Sequence, residues 1–462
     1  MSNHMFSVQQ FYVTWRRICC KSKKLTPVAL NWLWSSNCHA GSRVVSLQSN
    51  QKGTSNKQVT KRPKKESSSC QAVLNHFDQQ YSEELGDLWP SARHVLLDPP
   101  SWQYGVMLNR FSTVTDITQI LQSQGFSTLL PQTNISVLLC NDPSMVSHSK
   151  YHEGKDTLLS SDYINKRPPD NSLPQPGQDP QSEPSLSLPR PSLQCYIHPS
   201  PLRFPSQAHR PGQLKQYYLL NAASLLPVLA LQVRDGEKVL DLCSAPGGKA
   251  LAIMQSATPV LLCCNEPDPH RRDWLAKTLE SFLPHSLNSR VIVSSQDGRS
   301  FGQSEAGVYD KVLVDAPCSN DRSWLYSCSN QQGEQRLKER ARLPVLQAQL
   351  LRSALSAVRP GGIVVYSTCT LSSFENCAVI ETALSDFPEA EPEDLWEEIA
   401  VPLSKYFAFS SHPGHGQTPH KPSLKPQNGT VSSYQHRLGI LVVPQPGKTW
   451  GPMFLSRIRR RK

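Results

Sequence analysis

The sequence predicts an α/β protein of the Rossmann-like kind, preceded by a smaller helical module, and three observations carry that prediction. From about residue 204, apolar runs at Lys238–Leu242, Val260–Asn265, Arg290–Val293, Lys311–Asp315 and Gly362–Tyr366 alternate with helical stretches, notably 268–282 and 343–358. The runs are continuous rather than alternating in polarity, as strands of a parallel sheet covered on both faces are. The first run passes straight into a helix through the glycine turn Cys243–Lys249, the place where such a sheet builds its ligand site.

Taken in order, the chain starts with a strongly basic segment. Residues 1–65 hold twelve Lys and Arg and no acidic residue. The whole chain has Lys+Arg 48 and Asp+Glu 37, so the remainder carries 36 basic and 37 acidic residues and is nearly neutral. This excludes reading the folded body as a general polycation that binds nucleic acid through bulk charge. An acid-free, Ser-containing start with the cluster Phe11–Arg17 reads as an organellar transit peptide. Lys61–Lys65 offers a nuclear address instead, and a plain basic tail is the third reading.

Residues 70–143 are expected to form the helical module. Val73, Leu74, Phe77 and Tyr81, and later Ile117, Ile120 and Leu121, recur at helical spacing, with breaks at Pro90 and Pro99-Pro100. From Pro168 to Pro191 eight of 24 residues are proline, so 144–192 is read as a flexible insertion. Residues 204–462 form the expected catalytic domain. Within it, 410–433 is a second loose stretch before a last apolar strand, Leu438–Val443. None of the 13 cysteines is spaced C-x-x-C, so neither a structural zinc site nor a disulfide scaffold is predicted. No run of eighteen apolar residues exists, so no membrane span is predicted.

The glycine turn Cys243-Ser244-Ala245-Pro246-Gly247-Gly248-Lys249 lets a ligand approach backbone at a helix N-terminus. It is not a phosphate-binding Walker loop, because Ala250 follows the lysine. The next strand ends at Glu266, where a carboxylate can take two ribose hydroxyls. The third ends at Asp297-Gly298, suitably placed for an adenine amino group, and the fourth at Asp315. A carboxylate at successive strand ends favours a nucleoside cofactor with no pyrophosphate to neutralise. S-adenosylmethionine fits that better than NAD.

Two thiols stand at the same edge. Cys318 follows the fourth strand in Asp315–Ser319, and Cys369 follows the fifth in Tyr366–Thr370. One cysteine in such a place is most often a small buried hydrophobe; two, each among polar or turn residues, call for a chemical reason. Cytosine C5 is too weak a nucleophile to accept a methyl group unaided. A thiolate adding to C6 makes C5 enamine-like, and a second thiol or carboxylate can later remove the C5 proton. Asp315 could hold the N3/N4 edge of the base, which would select cytosine over uracil. Sequence order does not say which cysteine attacks.

With these residues in view, the sequence resembles the Sun/Fmu family of RNA cytosine-5 methyltransferases. Cys243–Lys249, Asp315–Ser319 and Ser367–Thr370 look like its cofactor, cytosine and nucleophile motifs, and the likeness covers roughly 204–462. The resemblance implies that Cys369 is the nucleophile and that Cys318 assists product release. It also implies that Cys243 to Lys249, Glu266, Asp297, Gly298 and Asp315 line the pocket for S-adenosylmethionine and the base, with no metal. Lys215–Asn221, Asp321–Leu325 and Trp450–Met453 resemble a mitochondrial branch of that family that methylates the wobble cytosine of methionine tRNA. By that likeness the partner is a tRNA anticodon loop, 70–143 helps to recognise RNA, and a monomer works in the mitochondrial matrix on neither DNA nor membrane. The alternatives are another mitochondrial RNA, such as rRNA, and a non-catalytic RNA-binding assembly factor on the same fold. Lys338, Arg340, Arg342 and the tail Arg457–Lys462 are candidates for phosphate contact, or else a solvated helix face and a frayed end.

Overall fold

The computed structural model describes residues 70–130, 188–325, 330–410 and 438–462. The expectations placed on 1–65, on 131–143 of the helical module, on 144–187 and on 411–433 lie outside the described residues. The first helices, α1 (Gln71–Leu85) and α2 (Leu88–Leu97), lead to strand β1 (Gly105–Leu108), helix α3 (Thr115–Ser123) and strand β2 (Ser127–Thr128). Two further strands, β3 (Cys195–Ile197) and β4 (Tyr217–Leu220), complete a small antiparallel sheet in the order β2-β3-β1-β4. The helices expected in this part are present; the additions are the two-residue β2 and the longer β1. Its four residues Gly-Val-Met-Leu are too few to announce a strand, and they become one because partners arrive from about ninety and about a hundred and ten residues away (Met107 opposite Cys195 and Tyr218). Alternate residues of β1 serve different cores: Val106 and Leu108 pack with Phe126, Phe204 and Tyr217, whereas Met107 joins the main core.

The large sheet contains β5 (Lys238–Asp241), β6 (Leu261–Asn265), β7 (Val291–Ser294), β8 (Tyr309–Asp315), β9 (Val358–Thr368), β10 (Ala390–Glu393), β11 (Ile440–Val442) and β12 (Met453–Arg460). Its order is β7-β6-β5-β8-β9-β12-β10, with β11 paired to β12. Strands β5 to β9 run parallel, and β12 lies antiparallel against β9. The intervening helices are α4 (Leu226–Leu231), α5 (Gly248–Ser256), α6 (Pro269–Phe282), α7 (Phe301–Ser304), α8 (Asp321–Trp324), α9 (Asn330–Arg340), α10 (Leu343–Ala357) and α11 (Cys377–Leu384).

The apolar runs explain the layering. Val239, Leu262, Leu313 and Val365 face one way, into a core shared with α4, α5 and α6; Leu240, Val312, Val314 and Val364 face the other, against α1, α2, α10 and α11. Both faces are covered, as the continuous apolar strands require. The order reverses direction between β5 and β8, so the loops after these two strands part and leave a cleft at their carboxyl ends.

Strand β12 corrects one expectation. The arginine-rich tail is not a frayed end: Arg457 is buried and paired with Glu393 and Glu398, while Arg459 and Arg461 pair with Glu393 and Glu391 but stay exposed. Glutamates on the neighbouring β10 neutralise the row, which lets so basic a segment enter a sheet. No helix among the described residues is long and apolar enough to cross a membrane.

Candidate active site

The turn after β5 is shaped by glycine. Gly247 has φ +105°, a backbone region that side chains disfavour, and a Cβ there would lie 3.1 Å from Leu275 of α6. A Cβ on Gly248 would lie 3.1 Å from the Tyr218 ring. The turn is thus pressed between α6 and the small sheet, with the start of α5 directly behind it. Asn265, at the end of β6, ties three loops together: it donates to the carbonyls of Leu242 and Gln296 and accepts from the Gln296 amide, while its own carbonyl accepts from Ser244 N.

The acids at these strand ends differ in state. Asp241 is buried; its Oδ2 accepts from Ser244 Oγ at 2.8 Å, and its Oδ1 is left without a well-formed hydrogen bond. Burial pushes its pKa up to about 7, with the Ser244 hydroxyl pulling the other way. Glu266, also buried, pairs with Arg271 at 2.9 Å, and Arg271 in turn donates to the Ala245 carbonyl of the glycine turn. Burial raises Glu266 as well, against the pull of that guanidinium. Asp297 is exposed, capping the turn Gly298–Ser300, and its carboxylate is gripped by Arg299 at 2.6 Å. Gly298 is buried where a Cβ would strike Leu350 at 2.7 Å. Cys243 is a half-buried thiol whose pKa is raised well above its ordinary value by burial and by the neighbouring carboxylates.

Across the cleft, Asp315 ends β8. Its Oδ2 accepts from Lys249 Nζ at 2.7 Å, and its Oδ1 accepts from Ser367 Oγ at 2.8 Å. Burial lowers the Lys249 pKa, but Asp315 foremost, then Cys369 and Asp241, outweigh it, and the net direction is up. An ammonium from the glycine turn therefore stands within the field of both the β8 carboxylate and the Cys369 sulfur.

The two predicted thiols are brought together. Cys318 Sγ and Cys369 Sγ lie 3.2 Å apart, and the Cys369 amide donates to Cys318 Sγ at 3.3 Å. Cys318 is buried and Cys369 half-buried. The hydrogen bond to Cys369, then burial, then the negative fields of Cys369 and Glu375 push the Cys318 thiol well above its ordinary range. The inner sulfur is thus held protonated.

Behind the thiols lies a buried polar cluster that sequence reasoning missed. Asp321 accepts from the Leu371 amide at 2.7 Å, Thr370 Oγ1 at 2.9 Å and Tyr81 Oη at 3.0 Å. Glu375 accepts from Ser319 Oγ at 2.7 Å, the Ser319 amide at 2.9 Å and Gln347 Nε2 at 3.0 Å. Arg340 serves both, donating to Tyr81 Oη at 2.8 Å and pairing with Glu375 at 3.4 Å, with its guanidinium 4.6 Å over the Phe77 ring. Arg340 is only 6% exposed, so its place among candidate phosphate contacts is overturned; Lys338 and Arg342 on the same segment remain exposed. The available signal was polar residues closely following each cysteine, but nothing in one sequence says that they face each other.

A family profile described as 16S rRNA methyltransferase RsmB/F matches residues 228–418. A Danio rerio protein named mitochondrial tRNA (cytosine(34)-C(5))-methyltransferase is 47% identical over 433 residues, covering 94% of this chain and 97% of its own length. The Mus musculus protein of that name is 41% identical, covering 85% and 91%. The 5-cytosine rRNA methyltransferase NSUN4 of Xenopus tropicalis is 34% identical, covering 84% and 90%. The chain belongs to this family of RNA cytosine-C5 methyltransferases. It is an enzyme, and its family implies S-adenosylmethionine as methyl donor.

The cleft of this methyltransferase fits that donor on its own terms. The glycine turn brings bare backbone to the head of α5, and Asp241 Oδ1 beside it is a buried acceptor lacking a good donor. Arg271 and Lys249, the cations at the turn, are already paired with Glu266 and Asp315, as suits a ligand without phosphates.

Proposed function

We propose that this methyltransferase forms 5-methylcytosine at the wobble position of a mitochondrial tRNA, methionine tRNA by preference, in the mitochondrial matrix. Two relatives named as mitochondrial tRNA enzymes stand at 47% and 41% identity, against 34% for the rRNA enzyme, which favours the tRNA reading over the rRNA one. A binding factor without catalysis has no use for two touching thiols. The target must be a base out of its stack, as in an anticodon loop, for C6 to meet a side chain. The decisive check on substrate and place together is bisulfite mapping of mitochondrial RNA from cells lacking the protein. The wobble cytosine of methionine tRNA is expected to lose its methyl mark; loss only in rRNA would replace this reading.

The single observation that carries the chemistry is the pair of sulfurs beside the Lys249–Asp315 ion pair. Cys369, the more exposed sulfur and the one near the ammonium, is the nucleophile: its Sγ bonds to C6, and the C5–C6 π electrons make C5 reactive. Asp315 keeps lone pairs free to accept from the cytosine N4 amino group, while Lys249 balances its charge. S-adenosylmethionine, held by Cys243 to Lys249, Glu266, Asp297 and Gly298, supplies an electrophilic methyl group when bound. Once Cys369 is a neutral thioether, its negative field on Cys318 is gone while burial and Glu375 remain, so Cys318 ionises more easily than before and its proton passes to water. It then takes the C5 proton; those electrons restore the C5–C6 double bond, and Cys369 leaves as thiolate.

Cys369→Ala is expected to cut methyl transfer at least ~10⁴-fold, about 5.5 kcal/mol in barrier, with cofactor binding retained. Cys318→Ala is expected to accumulate a covalent RNA–protein adduct on denaturing gels. An active Cys369→Ala enzyme would refute the nucleophile assignment.

A further inference from the structure

The two cysteine loops are braced against each other by an exchange of carboxylates. Asp321 belongs to the loop of Cys318 and accepts from the backbone amide of Leu371 and the hydroxyl of Thr370, both in the loop of Cys369. Glu375 belongs to the loop of Cys369 and accepts from the backbone amide and hydroxyl of Ser319, the residue after Cys318. Both carboxylates are almost wholly buried, at 0% and 1% exposure. Neither needs such depth to hold the sheet together, since Ala316 N already bonds the Ser367 carbonyl where the strands end. Beyond that ladder bond, the span separating the sulfurs is set by side chains.

We propose that Glu375 and Asp321 are positioning residues that hold Cys318 at the distance from Cys369 needed to release the methylated base. The inference rests on the covalent reading above and names the groups that set its geometry. Buried amides accept no substitute partner cheaply, so each carboxylate fixes the opposite loop to within a hydrogen bond's tolerance. Replacing Glu375 by glutamine keeps the size but presents an amide N–H₂ to donors, so one of the contacts from Ser319, Gln347 or Arg340 must break. The loop of Cys318 then moves relative to an intact Cys369. Attack on C6, which needs Cys369 alone, continues; proton removal, which needs Cys318 in place, slows.

The test uses full-length enzyme with both cysteines present, a wobble-cytosine tRNA transcript and S-adenosylmethionine, with Cys318→Ala run alongside. Glu375→Gln is expected to lower 5-methylcytosine formation 10- to 100-fold while covalent adduct builds up, with the KM for RNA within about 3-fold of wild type. Product and adduct falling together, or neither changing, overturns the proposal, because a merely structural defect depletes both. Should Glu375→Gln not fold, Asp321→Asn carries the same expectation and the same refutation. If Cys318→Ala itself traps no adduct, the covalent release reading fails instead, and the two failures are told apart.

Discussion

Buried carboxylates on the two sides of the cleft are treated in opposite ways. On the cofactor side, Asp241 has one hydroxyl partner and a poorly satisfied second oxygen. On the thiol side, both oxygens of Asp321 and of Glu375 are engaged, and a guanidinium stands among them. Burial raises both, Asp321 to about 6 against the pull of Arg340 and Asp241 to about 7 against the pull of Ser244 and Lys249. A carboxylate with both oxygens engaged is placed by the protein itself; beside that pair Arg340 Nη1 and Gln347 Oε1 lack a partner, as Asp241 Oδ1 does across the cleft. The contrast is confined to the carboxylates: those behind the sulfurs are held by the protein at both oxygens, while Asp241 keeps one oxygen open beside the glycine turn.

The largest expected effect breaks the satisfied half. Arg340→Leu leaves Asp321 and Glu375 buried without their cation, and removing one partner of such a cluster costs about 3–5 kcal/mol. The variant should melt far below wild type in a thermal scan. A melting point within a few degrees of wild type would mean that the carboxylates are neutralised in some other way, and the contrast between the halves would lose its basis.

That contrast also decides what could be read from sequence. Strands β5, β6, β7 and β8 were legible because each is a continuous apolar run, and the turn after β5 because paired glycines mark a tight passage from strand to helix. Cys318 and Cys369 were legible as a pair because both follow parallel strands and so open at one edge. Asp321, Glu375, Arg340 and Tyr81 were not, since a satisfied buried cluster has no local pattern: its members come from α1, from the two cysteine loops and from α9, up to 294 positions apart, and each alone looks like an ordinary surface residue. Arg340 is the sharpest case, its neighbours Lys338 and Arg342 being exposed as expected. Strand β12 hid for a related reason, because arginines every other residue suggest solvent until the glutamates of β10 are seen opposite them.

A smaller effect, opposite in sign, sharpens the contrast from the other side. Asp241 has its folded pKa raised from 3.8 to about 7 by burial, so between those values the folded protein holds a proton that the unfolded chain has released. Its contribution to stability is therefore fully present below the lower value and is lost as pH rises through the window to about 7. Asp241→Asn removes this loss. Above pH 7 the variant should be more stable than wild type by about 1 kcal/mol, well short of the full shift, because an asparagine amide beside Ser244 brings an unmet group of its own. The same change should weaken S-adenosylmethionine binding by calorimetry, since the amide oxygen still accepts but the carboxylate's negative charge is gone. Asp321→Asn, with every oxygen already used inside the protein, should lower stability and leave that affinity alone. If Asp241→Asn instead destabilises the fold above pH 7, its carboxylate is a structural group like Asp321, and the cofactor half is as complete by itself as the half that holds the thiols.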